Sequence, residues 1–172
     1  MSKGIDIPID ALVAVFNSNL WSTKNNSFYG RVFRNERFGS FPSVISPEVY
    51  ISADQPALEV LKNDSYDAQC FFDVQPNDPI AGGSIHTSTV WICFMVNLVA
   101  LYPTLTRTEA TEQVHRDAER IIEHSKFDID GLVRGFEGFT SYDWGGDSYQ
   151  AKADMHPNYC FRFNTKIEYV NC

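Results

Sequence analysis

At 172 residues the chain suits one domain and is long enough to bury a proper core, and its 44% apolar and 21% charged residues are ordinary globular usage. Its 14 Lys and Arg against 22 Asp and Glu leave a net charge of -8. That argues against groove binding to nucleic acid, where affinity comes largely from cations displacing counterions at phosphates.

The first predicted element is a helix. Asp6 is placed to cap it, Pro8 falls in its first turn, and Ile9, Leu12, Val13, Phe16 and Leu20 recur at helical spacing. Trp21 seats its end, and the polar run from Ser22 to Ser27 breaks it. A strand of mixed faces follows over 28–34, then a loop over 35–47. Short strands are predicted over 48–51 and 68–74, the second carrying Cys70, Phe71 and Phe72. The stretch 75–84 holds Pro76, Pro79, Gly82 and Gly83 and reads as a connector. It is longer than a usual hairpin turn of about 2–5 residues, so it is either a binding loop or a surface loop.

The segment 87–98, TSTVWICFMVNL, is apolar on both faces and is the natural central strand; Pro103 stops it. Thr106 and Glu109 have the spacing of a capping box. Ala110, Val114, Ala118, Ile121, Ile122 and Ser125 then trace one narrow stripe of a helix whose other faces are charged, so it lies on the sheet. Residues 127–139 read as a short strand or a turn-rich segment, and 140–153 as a second long loop. The chain closes with a period-2 strand over 159–169. Its odd positions, from Tyr159 to Tyr169, face the core, and Cys160, Arg162, Asn164, Lys166 and Glu168 face outward. Pro157 biases His156 toward extended backbone, so Asp154, Met155 and His156 are the lead-in to that strand. The expected fold is a single α+β domain over 1–172. A mostly antiparallel sheet is packed by the N-terminal helix and one long amphipathic helix, with long loops at 35–47, 75–84 and 140–153.

Chemical motifs are sparse. Cys70, Cys93, Cys160 and Cys172 include no CxxC pair, which excludes zinc-knuckle and thioredoxin-type sites and leaves free thiols in a reducing compartment. The N-terminal MSKGIDIPID lacks the apolar core of a signal peptide, so secretion by that route is not expected, and the run from Val90 to Leu101 is too short to span a bilayer. Neither GxSxG, a P-loop nor GxGxxG occurs. Ser84 and His86 share a strand face without forming a nucleophile elbow. His115 and Glu119, and Glu119 and Glu123 beside His124, have helical i, i+4 spacing. HExxH is absent, however, and that face reads as solvated rather than metal-binding. Paired carboxylates suited to glycoside hydrolysis are not evident in any apolar setting. The cluster from Tyr142 to Tyr149 has the composition to stack a sugar or to seat a partner chain. Three function classes follow: an assembling structural protein, a small cytosolic hydrolase using His86 or His156 with a nearby carboxylate, and a monomeric module binding a ligand through the 142–149 loop.

Several local patterns favour the first class. An N-terminal amphipathic helix ending Asn19-Leu20-Trp21 precedes Tyr29-Gly30-Arg31-Val32-Phe33-Arg34. The strand from Trp91 to Leu98 runs into Tyr102-Pro103, an acidic helix follows, and Asp154-Met155-His156-Pro157 leads into Phe161-Arg162-Phe163-Asn164. In this order the chain resembles small virion proteins of tailed phages that form the head–tail neck or end the tail tube. It looks most like ring proteins of crAss-like phages of gut Bacteroidales, and it is similar in element order to tail terminators. The resemblance implies a non-enzymatic virion protein, assembled in the host cytoplasm, with no cofactor or metal and no membrane contact. It implies a homo-oligomeric ring of six or twelve copies, stacked on other neck or tail proteins, through which DNA passes without sequence-specific binding. The acidic charge suits such a conduit. Candidate subunit-interface residues on the strand and loops are Arg34, Phe38, Phe41, Pro76, Pro79, Tyr142, Trp144 and Tyr149.

Overall fold

The computed structural model describes residues 4–37, 44–49, 58–59, 63–75, 85–139 and 155–170. Helix α1 (Asp6–Asn19) is followed by strands β1 (Asn26–Arg37), β2 (Val44–Val49), β3 (Leu58–Glu59), β4 (Ala68–Val74) and β5 (Ile85–Asn97). Helices α2 (Leu98–Leu101) and α3 (Arg107–Ile122), strand β6 (Asp128–Arg134), one helical turn (Phe136–Phe139) and strand β7 (Asn158–Val170) complete it. The fold is α+β, as expected. The strands lie in the order β3-β2-β1-β4-β5-β7-β6. Every pairing is antiparallel except β1 with β4.

The doubly apolar segment is indeed central: β5 pairs with β4 on one side and, from Ile85↔Val170 to Asn97↔Asn158, with β7 on the other. Its two faces enter two different cores. Ile92, Phe94 and Val96 join the large cluster beneath the helices, while Cys93 and Met95 join a smaller one on the opposite face with Val32, Phe71, Phe139 and Cys160. This second cluster corrects the outward assignment of Cys160, which is fully buried. The remaining alternation of β7 holds, with Phe161, Phe163, Thr165 and Ile167 buried and Lys166 and Glu168 exposed.

α1 packs the large core through Ile9, Leu12, Phe16 and Leu20. Phe16 meets Phe28, Phe72 and Phe94 at ring-centroid distances of 5.8, 6.1 and 5.7 Å, and Phe94 stacks on Phe161 at 4.9 Å. Each such pair adds about 0.5–1.5 kcal/mol beyond the area it buries. Asp6 does not cap the helix. Ile5 holds the N-cap position without a side-chain hydrogen bond, and Asp6 lies in the first turn, 3.7 Å from Arg31. The acid therefore stabilises the helix through its dipole and a cation on β1 instead of through a cap bond.

At the other end Trp21 takes a left-handed φ of 47°, uncommon for a residue with a side chain. Tertiary contacts hold it there. Its indole N–H donates to the Tyr102 hydroxyl at 2.7 Å, and its ring lies 6.2 Å from that of Phe94. Tyr102 donates in turn to Asp117 Oδ2 at 2.5 Å, and Gln113 donates to the other oxygen at 2.8 Å. Burial and the Asp117 carboxylate push the phenol far above its usual range, so it stays protonated. This network ties the α1–β1 turn to α3.

α3 begins with the predicted capping box: Thr106 N–H donates to Glu109 at 2.9 Å, and the Thr106 side chain accepts from the Glu109 N–H. Its buried stripe is Ala110, Val114, Ala118 and Ile122. β5 starts two residues before the predicted segment and stops one residue early, because the Asn97 side chain accepts from Ala100 N–H at 3.0 Å and opens α2.

The predicted loop over 35–47 is strand at both ends. Arg34↔Pro47 through Arg37↔Val44 form an antiparallel ladder, so backbone pairing overrides a composition rich in turn formers. Pro47 stands opposite Arg34 in this ladder. The ambiguous stretch 127–139 is β6 followed by the helical turn, joined at Gly135 with φ 70°, a conformation that favours glycine. Residues 76–84 and 140–153 lie outside the described set.

Candidate assembly surface

α1 carries a second apolar stripe. Ile7, Ala11 and Val15 recur every four residues, one row away from the core-facing stripe. This row faces neither water alone nor the core. It forms one wall of a groove of about 780 Å³, whose opposite wall is the end of α3, from Arg120 to Lys126, with Glu168, Tyr169 and Val170 of β7 at its base. Ile7 is 53% exposed, Val15 43% and Val170 48%. The antiparallel ladder puts Ile85, also exposed, directly opposite Val170.

The polar groups at the groove come mostly from the last turn of α3 and the residues after it. Arg120, His124 and Lys126 are exposed, and His124 Nδ1 lies 2.7 Å from the Arg120 carbonyl. Ion pairs among the described residues are Arg31–Asp6, Arg134–Glu112 and Lys166–Asp130. None of these engages Arg120 or Lys126, so the groove has two permanent cations against the single carboxylate of Glu168.

The β5–β7 ladder is roughly 40 Å long at ~3.3 Å per residue, and its other end, toward which the groove extends along α1 as far as Asn19, exposes further apolar side chains. Val99 on α2, Leu105 on the α2–α3 turn and Met155 before β7 are 48%, 39% and 61% exposed. Two hydrogen bonds bring these segments to one end: Leu98 N–H to the Pro157 carbonyl at 2.8 Å, and Asn158 N–H to the Met155 carbonyl at 2.7 Å.

The sequence-derived candidates fall elsewhere. Phe38, Phe41, Pro76, Pro79, Tyr142, Trp144 and Tyr149 lie outside the described residues; Arg34 sits in β1 opposite Pro47, with only its backbone described. His86 stacks on Tyr169, its cross-strand partner, with centroids 5.5 Å apart. His156 is exposed at the other end, in a cis peptide with Pro157. Among the described residues no carboxylate hydrogen-bonds to either histidine.

The helix face carrying His115 is corrected by the fold. His115 is 4% exposed, its Nε2 lies 3.0 Å from the Tyr159 hydroxyl, and its ring sits edge-on to Phe161 at 4.8 Å. Burial foremost, then the nearby Arg134, lowers its pKa from 6.5 to about 4, against a smaller opposing pull from Glu112. It is a neutral core histidine. Among the described residues no three metal-ligating side chains converge.

Sequence reasoning missed the groove. Its signal was present in the spacing of Ile7, Ala11 and Val15, which makes α1 apolar over more of its circumference than one buried stripe requires. Comparison with protein-family models, curated proteins and solved structures finds no match for the chain.

Proposed function

We propose that this chain is a virion structural protein that acts by self-association, forming a ring in the head–tail neck or at the tail end of a tailed phage, around the DNA path. The observation that carries the reading is the apolar groove along α1, with further exposed apolar side chains at Val99, Leu105 and Met155 outside it. Scattered exposed apolar residues are ordinary, but a contiguous apolar concavity marks an interaction site. Two different surfaces on one subunit allow heterologous contacts between copies, and such contacts generate a ring when the rotation closes. The net charge of -8 suits a wall from which DNA slides freely.

Native mass spectrometry of the purified chain across a concentration series, followed by negative-stain imaging, tests the proposal. Closed rings, six or twelve copies in each, are expected. A chain that stays monomeric at the highest attainable concentration would overturn it.

A further inference from the structure

We draw no further inference here: the strongest candidate, the apolar groove between α1 and the end of α3, carries nothing further because nothing in the structure shows what covers it.

Discussion

α1 presents two apolar rows that the fold treats differently. Ile9, Leu12, Phe16 and Leu20 are 0–2% exposed and meet the aromatic cluster of the large core. Ile7 and Val15, one row round the same helix, are 53% and 43% exposed and border the groove. Hydrophobicity alone does not distinguish them. What separates them is whether the sheet and α3 supply a facing surface, so the inner row contributes to folding and the outer row stays exposed.

Mutation can break or sharpen that contrast. The largest effect is expected for Phe16→Ala, which removes a fully buried ring touching three others and should cost about 3–5 kcal/mol in denaturant unfolding. A cost below about 1 kcal/mol would show that the inner row is not core.

Next comes the inner face of α3, where His115 is neutral. Its folded pKa of about 4 lies below the ordinary 6.5, so the unfolded chain takes up the proton first. Its contribution is present above pH 6.5 and is lost as the pH falls from there through about 4, up to about 3 kcal/mol. His115→Phe should flatten that part of the stability profile, measured by urea unfolding at successive pH values. An unchanged profile would place the histidine in water.

Thr106→Ala, at the exposed start of the same helix, removes a cap and should cost about 1 kcal/mol, read from the thermal midpoint. The smallest expected change is for Ile7→Ser in the outer row. Unfolding of the monomer should shift by no more than about 0.5 kcal/mol, while assembly weakens. A loss comparable to that of Phe16→Ala would erase the distinction between the rows.

Local patterns were legible wherever one residue period governed the environment. The capping box at Thr106, strand β4, the central position of β5 and the inward set of β7 all follow from spacing, because backbone geometry fixes which side chains share a face. Legibility failed where a partner distant in sequence decided. Residues 35–37 and 44–47 are strand because they pair with each other, and Cys160 is buried because the sheet has a second core beneath it. Asp6 has the chemistry of a cap, yet the helix starts one residue too early to use it. His115 reads as surface by its charged neighbours but faces Tyr159 and Phe161 across the sheet.

The sequence by itself determined the α+β class, the positions of most elements and the acidic, motif-poor character of the chain, since these depend on local periodicity and composition. Only the tertiary structure decided which apolar rows became core and which were left open. That depends on what lies opposite each row. The groove beside α1 exists because α3 ends next to it and β7 ends beneath it, elements separated from it by more than a hundred residues of chain.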